Sequence, residues 1–123
     1  MKNQIIVEVK PQYIQDQSDP VQSYYLFSYH VIIRNKSIRT VKLISRYWQI
    51  KDALGNIEDI HGPGVIGKTP IITPGNFFEY SSFCPLKTPL GFMGGSFRMI
   101  DEKKEEFEVE VSQFRLVASQ VLN

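Results

Sequence analysis

An all-β sandwich of seven to eight strands is the fold this sequence predicts, on three observations. Apolar residues alternate with polar ones along most of the chain. Clusters of Gly, Pro, Asn, Asp and Ser interrupt that alternation roughly every 8–12 residues. Nowhere does an apolar spacing of i, i+3, i+4 persist for three turns, so no helix of consequence is expected.

The elements follow in order. Ile5, Val7 and Val9 alternate with Ile6, Glu8 and Lys10, which predicts a half-buried first strand ending near Pro11. The polar run Gln15-Asp16-Gln17-Ser18-Asp19-Pro20 is a loop. Residues 24–34 read as a long strand whose Tyr25, Phe27, Tyr29, Val31 and Ile33 make one apolar face. A turn at Asn35-Lys36-Ser37 leads to a third strand over 41–51, with Ile44, Trp48 and Ile50 on one face and Leu43, Ser45 and Tyr47 on the other. Asp52-Ala53-Leu54-Gly55-Asn56 has the glycine a short hairpin needs, so 56–61 should return antiparallel. Thr73-Pro74-Gly75-Asn76 has proline and glycine where a type II turn wants them, ahead of a strand over 77–82. Cys84 to Gly91 carries two prolines and no periodicity, which predicts a surface connection. Strand spacing resumes over 92–100, with a bulge expected at Gly94-Gly95. After the charged turn Asp101-Glu102-Lys103-Lys104-Glu105-Glu106, a last strand carries Phe107, Val109 and Val111, and Phe114-Arg115-Leu116 adds a short piece.

This pattern is that of an immunoglobulin or fibronectin type III-like sandwich, with a closed barrel as the alternative. The lone Cys84 excludes an internal disulfide and so points to the disulfide-free relatives of that architecture. A chain of 123 residues fits one domain, 1–123. With 14 Lys and Arg against 13 Asp and Glu, its net charge of +1 provides no global field to recruit nucleic acid or an anionic membrane. No uncharged run approaches the ~18 residues of a membrane span, and no apolar leader follows Met1, so a soluble cytoplasmic protein is expected.

His61-Gly62-Pro63-Gly64-Val65-Ile66-Gly67 interrupts this strand-rich pattern with three glycines. Gly62-x-Gly64-x-x-Gly67 matches a dinucleotide-binding fingerprint in letters, but that motif needs a helix after it, and Thr69-Pro70 and Thr73-Pro74 follow instead. Two readings remain. Successive glycine amides can form an anion-binding nest, from which Pro63 removes one donor and to which Lys68 adds the nearest cation. Alternatively, the segment is a glycine-rich crossover without a ligand. The candidate ligand-binding residues are His61, Gly62, Gly64, Val65, Gly67 and Lys68.

Other constellations are weaker. Asp59 and His61 share a strand face, yet two ligands do not make a metal site, and His30, Cys84 and Asp101 lie far off without metal-type spacing. Cys84 reads as a half-buried structural thiol, since no motif ties a histidine to it. The aromatic strand from Tyr24 reads as core, because no basic stripe accompanies it as base stacking would require.

Ser45-Arg46-Tyr47-Trp48-Gln49-Ile50, the glycine motif with Val65, Pro70, Pro74-Gly75, Tyr80, Thr88-Pro89-x-Gly91, Met93, Gly95 and Phe114-Arg115-Leu116 carry a resemblance over the whole chain. In order and spacing the sequence resembles bacterial members of the ApaG domain family (DUF525). That resemblance implies a fibronectin type III-like sandwich, no established catalytic activity, and a glycine loop suggested as a phosphate or pyrophosphate binder. It also implies an association with cobalt tolerance and magnesium efflux, and kinship with domains of eukaryotic F-box and polymerase-interacting proteins. The sequence departs from the family pattern at Lys103-Lys104, where relatives often have Asp-Gly, and at Ser112, where many have proline.

The function expected is that of a non-catalytic protein-interaction module without a cofactor. Binding of pyrophosphate or a nucleoside polyphosphate at the glycine loop is the alternative, and hydrolysis of such a ligand ranks last, because no acid and base pair is held by motif. The partner is open, and a homodimer is among the assemblies the sequence allows.

Overall fold

The computed structural model describes residues 4–118. Eight strands occur in chain order: β1 (Ile5–Tyr13), β2 (Tyr25–Asn35), β3 (Val41–Asp52), β4 (Ile57–Pro63), β5 (Ile71–Ile72), β6 (Phe77–Leu86), β7 (Leu90–Asp101) and β8 (Glu106–Val117). Two single 3-10 turns, Gln15–Gln17 and Pro20–Gln22, are the helical elements among the described residues. No helix among the described residues is long and apolar enough to cross a membrane.

The strands form two antiparallel sheets rather than a closed barrel: β1-β2-β6, and β4-β3-β7-β8 with β5 also on β3. Their inner faces interdigitate as period-two alternation requires. Phe27, Val31 and Ile33 of β2 meet Leu43 and Trp48 of β3, Phe97 and Met99 of β7, and Leu116 of β8, all at most 2% exposed. Trp48 is the centre of this core, with edge-on contacts to Tyr29 at 5.5 Å, Phe97 at 5.7 Å and Phe114 at 6.2 Å between ring centroids.

Several expectations change. On β3, strict alternation puts Ile44 with Trp48 and Ile50, but a bulge between Leu43 and Ser45 inserts Ile44 as an extra residue. Val41 and Leu43 therefore face the core along with Trp48 and Ile50, although their parity differs, and Ile44 is half-buried. The expected connection from Cys84 to Gly91 is shorter than that, because β6 runs on through Leu86. Pro85 is tolerated since β6 ends its sheet and need not donate on its free side. Cys84 is fully buried rather than half-buried, and burial pushes its thiol up to about 12. Phe114 to Leu116 is not a separate piece: β8 continues across a register shift in which Ser112 and Gln113 together oppose Gly94. The bulge expected at Gly94-Gly95 on β7 therefore lies on β8 instead, and β7 stays in regular register with β3 there.

Three devices fix the end of the sandwich where the glycine segment lies. Buried Asn35 donates to the carbonyls of Arg39 at 2.8 Å and Ile72 at 2.9 Å, tying the β2–β3 turn to β5. Its own oxygen accepts from the Ser37 amide and hydroxyl. The turn at Thr73 forms as expected, with Asn76 N–H bonded to the Thr73 carbonyl and Gly75 at φ 81°.

Candidate functional site

The glycine segment is an excursion from one sheet edge. β4 pairs with β3 up to Pro63 opposite Ser45, and β5 resumes pairing with Ile71 opposite Lys42. In between, the Gly64 amide donates to the Ile44 carbonyl at 3.0 Å and the Leu43 amide donates to the Pro70 carbonyl at 3.0 Å. Residues 64–70 thus leave and re-enter the edge at adjacent positions of β3, where the Ile44 bulge makes room.

Inside the excursion the chain folds on itself. Val65 and Lys68 exchange both backbone hydrogen bonds at 2.8 Å around a two-residue turn in which Ile66 has φ 44° and Gly67 φ 74°, the backbone hand of a I′ turn. Gly64 has φ 58°, and a Cβ built on it would overlap the Lys68 carbonyl. The Val65 side chain is completely buried and plugs the loop into the core. Ile66 is half exposed at the tip.

Arg46 closes the base of the loop. By strand parity its side chain lies on the Trp48 side of β3, opposite Gly62 of β4. Its Nη1 donates to the carbonyls of Pro63 at 3.1 Å and Gly64 at 3.0 Å. A Cβ on Gly62 would come within 2.9–3.0 Å of the guanidinium, so glycine at 62 leaves space for the arginine.

On the outer face of the same strands the His61 ring stacks on Tyr47 at 4.6 Å, and the Tyr47 hydroxyl donates to Asp59 Oδ1 at 2.7 Å. That bond to the carboxylate raises the Tyr47 pKa above its ordinary value. A shallow cleft of about 400 Å³ beside this pair is lined by Ser45, Arg46, Tyr47, His61, Ser96, Arg98 and Glu108. Asp59 and His61 do share a face, as their spacing requires. Among the described residues, no three of His, Cys, Asp and Glu converge in a way that could hold a metal.

The six candidate residues therefore divide. Gly62, Gly64 and Gly67 set the loop's path, Val65 anchors it, Lys68 is exposed beside the tip, and His61 belongs to the outer face. The amides of Gly64, Val65 and Lys68 are taken by main-chain carbonyls, while those of Ile66 and Gly67 meet no acceptor among the described residues. Sequence reasoning missed Arg46 and Ile66. The signal for the first was a charged residue at core-face parity two positions before Trp48. The second is an isoleucine standing where a tight turn wants Asn, Asp or Gly, directly before Gly67.

Comparison with known proteins places this geometry. Residues 15–101 match the family description "ApaG domain". The chain is 46% identical over 116 residues to Protein ApaG of Parvibaculum lavamentivorans, covering 94% of this chain and 89% of the relative. It is 45% identical over 112 residues to Protein ApaG of Rhodospirillum centenum, covering 91% and 86%. A crystal structure of a Bordetella pertussis protein, solved under the name ApaA, superposes with a TM-score of 0.91 at 40% identity, covering 93% of each chain.

Proposed function

This chain belongs to the ApaG domain family, and on that premise we propose that it is a non-catalytic interaction module that offers the glycine loop to a protein partner. One observation carries the reading: Ile66 is an exposed β-branched residue at φ 44°. Left-handed backbone costs such a residue roughly 1–2 kcal/mol, and a half-exposed side chain returns little of it through packing. A loop plugged by Val65 and clamped by Arg46 holds that side chain rigidly outward, as an apolar anchor for a complementary pocket. Supporting the non-catalytic part, the one thiol is buried with its pKa at about 12, which keeps it from acting as a thiolate. The cobalt and magnesium associations of the family would on this reading act through the partner.

A second reading keeps specific support. The unengaged amides of Ile66 and Gly67, with Lys68 beside them, form a small donor set for a pyrophosphate or nucleoside polyphosphate.

Crosslinked capture from native lysate separates the readings. Ile66→Asp should lose a specific protein that both the wild type and Leu54→Asp retain, Leu54 being an exposed side chain in the hairpin at the other end of β3. Identical captures by all three would sink the module reading. Heat from pyrophosphate at low salt, abolished by Lys68→Met, would favour the second.

A further inference from the structure

Besides the two-residue β5, four strands end the two sheets, and they are protected unequally. Unpaired strand edges are templates for another chain, and proteins blunt them with charges and prolines. β1 carries Glu8, Lys10 and Pro11 and packs against β8, which carries Glu106, Glu108 and Glu110. β4 carries Glu58, Asp59 and Pro63. β6 differs: from Phe77 to Phe83 its single charge is Glu79, and proline arrives only at Pro85. Two of its side chains, Phe77 and Phe83, are 54% and 60% exposed on the outward face of the three-stranded sheet.

We propose that β6 pairs antiparallel with β6 of a second copy, centred on Tyr80, joining the two three-stranded sheets into one. The register follows from the sequence of the strand. Paired residues must point to the same face, so a symmetric antiparallel pairing centres on one residue. Centring on Glu79 sets two carboxylates opposite each other, which is repulsive. Centring on Ser81 sets Phe77 against Pro85, which has no N–H to donate. Centring on Tyr80 sets Glu79 opposite Ser81, Phe78 opposite Ser82, and each Phe77 opposite the Phe83 of the other copy. Both exposed rings then gain an aromatic cross-strand neighbour, twice over by symmetry. The net charge of +1 sets no long-range repulsion between copies. This pairing leaves Ile66 unused and stands apart from the loop reading.

Sedimentation velocity across a concentration series tests it, with circular dichroism confirming that each variant is folded. The wild type should show a reversible dimer. Phe83→Lys and Phe77→Glu should each weaken it about threefold to tenfold, because each removes both aromatic pairs. Phe77→Glu is compatible with its own sheet, since the Arg34 guanidinium already lies 5.7 Å over that ring. The double variant sets the two new charges opposite each other and should recover most of the loss. A monomeric mass at every concentration, or a dimer indifferent to the single variants or not rescued by the double, would overturn the proposal.

Discussion

Gly55 and Lys104 occupy the same position in two equivalent turns. In the β3–β4 hairpin the Asp52 carboxylate accepts from the amides of Leu54 at 2.9 Å and Asn56 at 3.0 Å, and Gly55 has φ 89°. In the β7–β8 hairpin the Asp101 carboxylate accepts from the amides of Lys103 at 2.8 Å and Glu105 at 3.0 Å, and Lys104 has φ 70°. Both are three-residue loops that need a left-handed residue before the strand resumes.

The equivalence gives a paired prediction. Lys104→Gly should stabilise the protein by about 0.5–1 kcal/mol, the relief of left-handed strain being partly offset by glycine's freedom in the unfolded chain. Gly55→Lys should destabilise it by about the same amount. Chemical denaturation midpoints would decide, and shifts of the same sign for both variants would refute the equivalence.

Asp101 also makes acid sensitivity predictable. Burial alone would raise its pKa, but the Glu105 amide, Arg39 at 3.0 Å and the Lys103 amide outweigh that and hold the carboxyl below its ordinary value. A carboxyl depressed in the folded state contributes stability above its unfolded pKa and loses it as pH falls through the folded one. The stability gap between wild type and Asp101→Asn should therefore be full at neutral pH and shrink below about pH 4. A gap unchanged between neutral pH and the acid limb would contradict the assignment.

At the base of the loop, Gly62 and Arg46 should be energetically coupled. Gly62→Ala pushes the guanidinium off the Pro63 and Gly64 carbonyls and should cost about 1 kcal/mol. In an Arg46→Met background the same change should cost less than about 0.5 kcal/mol, since the displaced group is gone. Additive losses in the double-mutant cycle would mean that glycine is needed at 62 for some other reason.

Most of the fold was legible because period-two alternation reports directly on which face of a strand is buried. Trp48 could be placed in the core from Ile50 alone, and a register shift near residue 94 was announced by Gly94-Gly95, although the extra residue lies on β8 opposite Gly94 rather than on β7 as expected. The bulge at Ile44 was not, because no glycine marks it: room for residues 64–70 to rejoin the edge is a tertiary demand that leaves no local signature. Strand β6 past Ser82 was hidden for a related reason, since Pro85 ends a central strand but not an edge strand. At the loop, the three glycines marked where the chain leaves the sheet edge, yet their letters suit a nest and a crossover equally. What separates these readings is where each amide points and where the Arg46 side chain lies, and neither is encoded by spacing.

Ile66 is where stability and function should trade against each other. A I′ turn wants Asn, Asp or Gly at its first central position, and a β-branched side chain there is strained. Ile66→Asn should therefore stabilise the fold by about 1 kcal/mol in denaturant melts, because the replaced side chain is half exposed and gives up little packing. The same variant should lose the protein captured through the loop, since the apolar anchor is removed while Val65, Gly64 and the Arg46 clamp stay in place. A variant that is more stable and still binds would leave the strain unexplained by function. A variant that is less stable would show that Ile66 packs against something the fold needs, and the interaction reading would lose its support.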